Sequence, residues 1–134
     1  MRASVFLLCV VLAGCTAKPE PTTADVAGKV TNGTQPVRDA VIYFENPATA
    51  YSVWANLNEN GEYRSVGLPP GKYQIAIRPR PSGSPPNEVN TEPVAPMPLT
   101  HPLVPEKFHD SNTSGLVAEV QLGPPATFDF DLAQ

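Results

Sequence analysis

The fold is decided by the stretch NENGEYRSVGLPPGKYQIAIR, residues 58–78. Asn58 to Gly61 has the composition of a hairpin turn, and Gly67 to Gly71 holds the glycines and prolines that tight turns require. The short strand between these turns places Tyr63 on its inward face. The strand after them alternates in the same way, with Tyr73, Ile75 and Ile77 inward. An alternation of period two predicts β-strands with one buried face.

The same alternation extends on both sides of residues 58–78. It predicts three strands upstream, over residues 26–31, 40–45 and 50–57, and two downstream, over 116–122 and 128–132. Turn residues separate these runs, and none shows the 3.6-residue stripe of an amphipathic helix. With the two strands of the central stretch they make seven short strands, rich in β-branched and aromatic residues. This pattern predicts an all-β fold, an antiparallel β-sandwich.

A long proline-rich loop interrupts the pattern between residues 79 and 105. It holds nine prolines in 27 residues and has almost no periodicity. Connections between strands usually have about 4–6 residues, so this one is unusually long. We expect it either to be mobile or to lie in extended form over the domain.

Length and composition allow one modest domain. The chain has 134 residues, and 41% of them are hydrophobic, which supports a small core. The 17 prolines exclude long helices, because proline removes a backbone donor and clashes with the preceding helical turn. The formal charge is −4, with 9 basic against 13 acidic residues and no basic run. This balance argues against a nucleic-acid partner.

The first fifteen residues have the pattern of a lipoprotein export signal. After Met1-Arg2, the apolar run over residues 3–12 is too short for a membrane span, which needs about 20 residues. The run ends in Leu12-Ala-Gly-Cys15, which resembles a bacterial lipobox. That resemblance implies a signal peptide over 1–14 that is removed, with acyl chains such as palmitate on Cys15. An ordinary secretory signal with a chance cysteine is the alternative.

The remaining cysteine supports this interpretation. Cys9 lies in the predicted signal peptide, so the mature chain would have neither a disulfide nor a free thiol for catalysis. Loss of Arg2 changes the formal charge from 9 − 13 = −4 to 8 − 13 = −5. Buried acyl chains contribute about 0.8 kcal/mol per CH₂, so two or three of them anchor a protein stably.

Residues 15–24 are predicted to be the lipidated N-terminus and a tether, ahead of a domain over 25–134. In polyproline II conformation, residues 16–24 would hold the domain about 28 Å from the membrane. A leader without a spacing role is the alternative. By resemblance to other bacterial lipoproteins, an Asp after the cysteine would signal retention in the inner membrane. This chain has Thr16 at that position, which favours the outer membrane. We expect an extracytoplasmic protein that faces the periplasm or the cell surface.

Several motifs, taken in order, resemble the carboxypeptidase regulatory-like domain. They are Val26-Ala-Gly-Lys-Val30, Pro36-Val37, Ala40-Val-Ile-Tyr-Phe44, Asn58-Glu-Asn-Gly-Glu-Tyr63 and Gly67-Leu-Pro-Pro-Gly-Lys-Tyr73. Val104-Pro-Glu-Lys-Phe108, Thr113-Ser-Gly-Leu116 and Phe128-Asp-Phe-Asp-Leu132 resemble the tail of small lipoproteins abundant in planctomycete bacteria. The likeness implies a seven-stranded, transthyretin-like Greek-key sandwich and a module without an active site or cofactor.

One residue departs from that family pattern. Asn58 stands where the family often has Asp, which would fit a turn cap or a cation site. Asparagine still caps a turn through its side-chain oxygen. The departure therefore preserves the fold and weakens a metal interpretation.

Titratable side chains offer little chemistry. His101, Glu106 and His109 have spacings of five and three, which match no metal motif on a regular element, so we expect exposed loop histidines. Asp129 and Asp131 alternate on one strand, and Glu119 could join them as acid/base groups or Ca²⁺ ligands. The wet face of a half-buried strand is the favoured interpretation. We likewise expect three basic residues to be solvated cations rather than parts of a basic patch: Arg78, Arg80 and Lys107.

Two aromatic residues could form a ligand platform. Tyr51 and Trp54, the only tryptophan, lie on one predicted strand, and flat rings stack on pyranose faces. Residues 51 and 54 are an odd number of positions apart, so their side chains point to opposite faces of the strand. We therefore expect one of the two rings to face outward. A core or edge position for both is the alternative.

These observations favour a non-catalytic, lipid-anchored envelope module. Its expected partners are the membrane, through Cys15, and an envelope protein contacted through a sheet face, an edge strand or the proline-rich loop. The alternative is a carbohydrate-binding lipoprotein, favoured if Trp54 is exposed beside a second ring. A hydrolase would need clustered titrating groups in a cleft, and the sequence order offers none.

Overall fold

Alternating burial along short strands organises the fold. The computed structural model describes residues 22–80 and 100–134. The strands are β1 (Ala24–Asn32), β2 (Gln35–Pro36), β3 (Ala40–Asn46), β4 (Tyr51–Asn56), β5 (Glu62–Leu68), β6 (Gly71–Pro79), β7 (Leu116–Val120), β8 (Ala126–Thr127) and β9 (Phe130–Asp131). A 3₁₀ turn (Glu106–Phe108) and a one-turn helix α1 (Ser111–Ser114) precede β7. These strands form two sheets, which make the predicted all-β sandwich.

Sheet II is antiparallel throughout, in the order β4-β3-β6-β7. β3 is central, and its Phe44 pairs with Val53 of β4 and Ile75 of β6. The inward side chains of β3 and β6 are fully buried, as the alternation predicted: Ile42, Phe44, Tyr73, Ile75 and Ile77. The face of this sheet that does not contact the core is the outer face of sheet II.

Sheet I is built around β1, whose two edges have different partners. Val30 of β1 bonds through its N–H and C=O to Gly61 and Val37, so this edge meets β5 and β2. On the other edge, Phe128 N donates to the Ala27 carbonyl at 2.9 Å and Leu132 N to the Thr31 carbonyl at 2.7 Å. This second edge pairs with β8 and β9 in parallel.

The C-terminal segment differs from the prediction in two respects. A single antiparallel strand over 128–132 was expected, whereas the chain forms two short strands that run parallel to β1. They are parallel because β7 ends beside the start of β1, so the chain enters sheet I at that end. They are separate because the Lys29 N–H donates to the Asp129 carboxylate at 2.8 Å instead of to a backbone carbonyl. With β2, this split raises the strand count above seven.

An aromatic cluster fills the space between the sheets. The ring of Phe44 lies 5.7 Å from that of Tyr63 and 6.1 Å from that of Tyr73, measured between centroids. Phe108 and Val104 join the same core with 1% and 2% exposure. Residues 100–105, which were assigned to the proline-rich loop, are therefore partly built into the core. Residues 81–99 lie outside the described residues.

The two ends of the sandwich follow from the direction of β1. Its first residue, Ala24, pairs with Leu68 and is 2% exposed, so the sandwich begins one residue before the predicted start at Asp25. The end where β1 begins is the tether end, formed by residues 22–24, 47–50, 67–71 and 121–126. The opposite, distal end lies about 26 Å away, since β1 spans eight steps of about 3.3 Å.

Candidate functional site

The outer face of sheet II carries the one tryptophan of the chain. Trp54 is 38% exposed, and it lies directly across from Tyr43 on the neighbouring strand. Directly opposed side chains in an antiparallel pair have Cβ atoms about 4.5–5.5 Å apart. The indole therefore lies beside the half-buried ring of Tyr43 on this outer surface. We call this surface, formed by Tyr43, Trp54, Arg78 and Glu45, the Trp54 face.

Polar groups hold the other end of the Trp54 face in place. The Arg78 guanidinium carbon is 4.4 Å from the centroid of the Tyr43 ring, a cation–π contact. Arg78 also donates to the His109 carbonyl at 2.8 Å and lies 3.4 Å from Glu45 Oε1. The second Glu45 oxygen accepts from the Ser111 hydroxyl at 2.5 Å. These contacts leave the Trp54 face with one fixed cation, one fixed carboxylate and two aromatic rings.

Tyr51 does not share this face. Its ring packs edge-on against the ring of the buried Tyr73 at 6.3 Å, on the core side of β4. The two rings named as a platform, Tyr51 and Trp54, thus lie on opposite faces, as their spacing implied. The ring beside Trp54 is Tyr43, which the sequence analysis did not single out.

A polar cleft lies at the distal end, where β2 turns into β3 and β6 ends. Two adjoining cavities of about 390 Å³ each share Arg38, Asp39 and Arg80 in their walls. Asn58 and Glu59 line one cavity, and His101 lines the other. We call these six residues the distal cleft. Its walls carry two guanidinium groups and two carboxylates.

Backbone geometry fixes the acidic residue of the distal cleft. Asp39 has a φ of 55°, in the left-handed region that aspartate tolerates better than most residues. This turn lets the Asp39 carbonyl accept from Arg80 N at 2.9 Å, while its carboxylate lies 3.3 Å from the Arg80 guanidinium. No described residue pairs with the exposed guanidinium of Arg38 in this structure. Among the residues that the structure describes, Arg38 is therefore the free cation of the cleft.

His101 closes one wall as a structural residue. Its Nε2 lies 2.8 Å from the Arg38 carbonyl, which can only accept, and its Nδ1 lies 3.1 Å from the Leu103 N–H, which can only donate. This pair of contacts selects the neutral tautomer with the proton on Nε2. Both ring nitrogens are thus occupied by the backbone.

The two histidine rings and the Glu106 carboxylate share no hydrogen bond, and His109 contacts Glu106 through its backbone, with His109 N donating to the Glu106 carbonyl at 3.0 Å. In the part of the chain that the structure describes, no group of three or more His, Cys, Asp or Glu side chains could hold a metal ion. The expectation of exposed histidines was wrong, because His101 and His109 are both half-buried. His109 has a buried Nε2 without a hydrogen-bond partner, and its carbonyl accepts from Arg78 Nε at 2.8 Å. The sequence spacing of these residues therefore corresponds to no shared site.

The carboxylates of the last strands serve the backbone. Asp129 accepts from Lys29 N, and Asp131 accepts from the N–H groups of Gly33 at 2.9 Å and Ala133 at 3.0 Å. The hydrogen bonds from Ala133 and Gly33 lower the pKa of Asp131 below its ordinary value. Glu119 lies exposed on β7 in sheet II, apart from both. Asp129 and Asp131 are exposed, as expected of a wet strand face, and each also pins a turn or strand.

The three basic residues are likewise dispersed. Arg78 belongs to the Trp54 face, Arg80 belongs to the distal cleft, and Lys107 donates to the Gln134 carbonyl at 3.1 Å. Lys107 Nζ also lies 4.6 Å from the centroid of the Phe108 ring. They form no common basic patch.

Sequence reasoning missed Tyr43, Arg38 and Asp39. A signal for Tyr43 was present, because the four-residue turn 47–50 sets the register that places it opposite Trp54. Arg38 and Asp39 gave no such signal. They meet Arg80 only because β3 pairs with β6, a contact between residues about forty positions apart.

Comparisons with known proteins assign no family to this chain. No protein-family model and no curated protein matches the chain. Among solved structures, a DUF3823 family protein from Parabacteroides merdae ATCC 43184 is similar at 10% identity, with a TM-score of 0.44. The match covers 84% of this chain and 46% of that one, so this chain spans less than half the length of that structure. No helix within residues 22–80 and 100–134 is long and apolar enough to cross a membrane.

Proposed function

We propose that the chain is a non-catalytic, lipid-anchored binding module of the bacterial cell envelope, of the carboxypeptidase regulatory-like type. The anchor is Cys15, in the lipobox-like sequence Leu12-Ala-Gly-Cys15. The protein is extracytoplasmic, and Thr16 after the cysteine favours the outer membrane. Covalent acyl chains would hold it at the membrane while the sandwich remains outside the bilayer.

One observation carries this proposal: the chain enters the sandwich at one end, and the distal cleft lies at the other. Ala24 begins β1 at the tether end, whereas Arg38, Asp39 and Arg80 meet about 26 Å away. A domain anchored through its N-terminus presents the distal end to the surrounding envelope. A polar, mixed-charge cleft at that end suits a protein partner with its own charged side chains.

The use of polar side chains supports a binding rather than a catalytic role. His101, Asp129 and Asp131 are occupied by backbone groups, and Glu45 is occupied by Ser111 and Arg78. General acid–base catalysis needs a titrating group that can reach a substrate proton. Three of the groups considered from the sequence, His101, Asp129 and Asp131, instead hold turns, strands and loops together.

Site-specific crosslinking in intact cells tests this proposal. A photoreactive residue at Glu59, in the distal cleft, should give a discrete protein adduct, and the same residue at Ala48, at the tether end, should not. Arg38→Ala should reduce the Glu59 adduct, because it removes the free cation of the cleft. Adducts of equal yield at both positions, or none at Glu59, would contradict a partner at the distal end.

Lipid attachment has its own test. Labelled palmitate should enter the wild-type protein and should not enter Cys15→Ser. The matched control is Cys9→Ser, which changes a residue of the predicted signal peptide and should leave labelling intact. Equal labelling of wild type and Cys15→Ser would refute the anchor.

A carbohydrate ligand is the second candidate function, and the exposure of Trp54 beside Tyr43 favours it. Because Trp54 is the only tryptophan, its fluorescence reports on this face alone. Purified envelope polysaccharide should shift its emission and protect it from iodide quenching. Tyr43→Ala should weaken this response, whereas Tyr51→Phe, on the core side of the same sheet, should preserve it. An unchanged spectrum would exclude the Trp54 face as the glycan site.

A further inference from the structure

We infer that the tether end of the sandwich is a membrane-contact surface, which rests on the lipid bilayer that holds the anchor. This inference rests on the proposed lipid at Cys15 and goes beyond it. An anchor alone fixes only the N-terminus, and the domain could still stand away from the lipid. The composition of the tether end decides between these arrangements.

The tether end carries no charged side chain in any of its four segments. These segments are residues 22–24 (TTA), 47–50 (PATA), 67–71 (GLPPG) and 121–126 (QLGPPA). They contain 18 residues, and at the chain's overall charged fraction of 16% about three of these would be charged. The distal end, in contrast, presents Arg38, Asp39, Glu59 and Arg80. The two ends of the sandwich therefore differ in charge.

The four segments meet at one end because of the strand pairing. Ala24 pairs with Leu68, and Gly71 pairs with Val120, so the start of β1, the β5–β6 turn and the segment after β7 are neighbours. A Cβ on Gly71 would lie 2.6 Å from the Asn46 side chain, which places the β3–β4 turn beside them. The uncharged segments thus form one continuous surface.

Exposed aliphatic side chains mark this surface. Leu122 is 51% exposed within it, and Val66 is 61% exposed on β5 just before the 67–71 turn. They are two of the four large hydrophobic residues that the described part of the chain exposes. The same segments also expose prolines at positions 47, 70, 124 and 125. Charged side chains lie at the margin of this surface, where the Asp25 carboxylate accepts from the Gly67 N–H at 3.2 Å and pairs with Arg64, and where Lys72 follows Gly71. Exposed apolar groups such as Leu122 favour an apolar partner.

Chain length identifies the bilayer as that partner. Only residues 16–21 separate Cys15 from Thr22, where the described chain begins. Seven Cα–Cα steps span at most about 25 Å, so the tether end stays within that distance of the acylated residue. This short link gives the surface a high effective concentration at the lipid, so weak apolar contacts are enough to hold it there. The bilayer is the one apolar partner that the anchor always supplies.

Depth-dependent fluorescence quenching tests the inference on the full-length lipidated protein. Thr49→Cys places a thiol at the tether end and keeps Leu122 and Val66, and Glu59→Cys places one at the distal end. Each variant is labelled with an environment-sensitive dye and reconstituted into phosphatidylcholine vesicles that contain a spin-labelled lipid. We expect the Thr49 label to be quenched several-fold more than the Glu59 label, with blue-shifted emission.

Substitutions then assign the contact to particular side chains. Leu122→Asp combined with Val66→Asp should lower quenching of the Thr49 label to the level of the Glu59 label. Val117→Asp is the matched control, because Val117 is 53% exposed but lies within β7, away from the tether end. It should leave quenching unchanged. Equal effects of the control and the double substitution would overturn the assignment.

Vesicle flotation distinguishes a failure of the membrane-contact surface from a failure of the lipid anchor. Protein that floats with the vesicles while both labels stay unquenched would overturn the membrane-contact surface and leave the lipid anchor standing. Protein that does not float would overturn the anchor, and with it this inference.

Discussion

Gly28 is the position where a single methyl group tests the packing of the C-terminal segment on β1. A Cβ at Gly28 would lie 1.9 Å from the Phe128 carbonyl oxygen and 2.8 Å from the Tyr63 hydroxyl. Ordinary contact begins near 3.4 Å, so the backbone at Phe128 must move by 3.4 − 1.9 = 1.5 Å. Gly28→Ala should therefore push this segment away from β1.

The cost follows from the hydrogen bonds that such a movement breaks. Phe128 N donates to the Ala27 carbonyl at 2.9 Å, the Tyr63 hydroxyl donates to the Phe128 carbonyl at 2.7 Å, and Lys29 N donates to Asp129 at 2.8 Å. At about 1 kcal/mol each, their loss costs about 3 kcal/mol. Alanine in a strand recovers roughly 0.5–1 kcal/mol relative to glycine. The expected net destabilisation is about 2–3 kcal/mol.

Urea unfolding followed by circular dichroism measures this change, and a double-mutant cycle with Tyr63→Phe identifies its cause. Tyr63→Phe alone should cost about 1–2 kcal/mol, because the Phe128 carbonyl loses its side-chain donor. In the Gly28→Ala background that bond is already broken, so the same substitution should cost clearly less. A Gly28→Ala protein within about 0.5 kcal/mol of wild type, or equal costs in both backgrounds, would refute the reasoning.

Three further predictions concern other parts of the molecule. Asp131→Asn keeps an acceptor oxygen but removes the charge. Because the pKa of Asp131 is lowered in the folded protein, the charged carboxylate stabilises the fold above its unfolded-state pKa of about 3.9. This contribution is lost as pH falls through the folded-state pKa. The variant should therefore show a weaker fall in melting temperature in acid, and parallel melting curves would contradict this. Phe108→Ala should destabilise by about 3–5 kcal/mol in urea titrations, since Phe108 is 1% exposed; a loss below about 1 kcal/mol would place residues 104–108 outside the core. Trp54→Ala should change the free energy of unfolding by less than about 1 kcal/mol, because its ring is partly exposed, and a larger loss would make Trp54 a structural residue.

The strands could be predicted from the sequence because each depends on its own alternation. The pattern in residues 40–45 places Ile42 and Phe44 inward, and both are fully buried. Val41 and Ala76 lie on the face that the alternation gives them, the outer face of sheet II, yet they are 4% and 0% exposed. Such burial depends on the segments that long-range contacts place over the sheet, so no local pattern can indicate it.

The short helix before β7 was missed although a local signal for it existed. The Asp110 carboxylate accepts from Asn112 N at 2.8 Å as an N-cap, and Gly115 ends the helix with a φ of 70°. Aspartate followed by glycine five residues later is a capping pattern. A search for 3.6-residue periodicity cannot detect it, because one turn of four residues has no period to show.

The two candidate surfaces, the Trp54 face and the distal cleft, were predictable from the sequence to different degrees. The sequence singled out Tyr51 and Trp54 as a pair of which one faces outward, and the β3–β4 register was needed to find that Tyr43 is the ring beside Trp54. The distal cleft joins Arg38, Asp39 and Arg80, which come together through the pairing of β3 with β6. Sites assembled by tertiary pairing leave no mark in the order of residues along the chain.

The pairing inside the distal cleft bears on what it is able to bind. The Asp39 side chain is 70% exposed, and an exposed ion pair contributes about 0–1 kcal/mol, so the 3.3 Å contact does little to hold Arg80 in place. The Arg80 side chain is nevertheless only 19% exposed, and its backbone is bonded to Asp39, so the fold itself positions this guanidinium. A carboxylate from a partner can therefore take the place of Asp39 on Arg80 at little energetic cost, while Arg38 offers a second cation beside it. If the proposed partner binds this cleft, we expect it to carry acidic groups that pair with Arg38 and Arg80, beside the carboxylates of Asp39 and Glu59 that the cleft already holds.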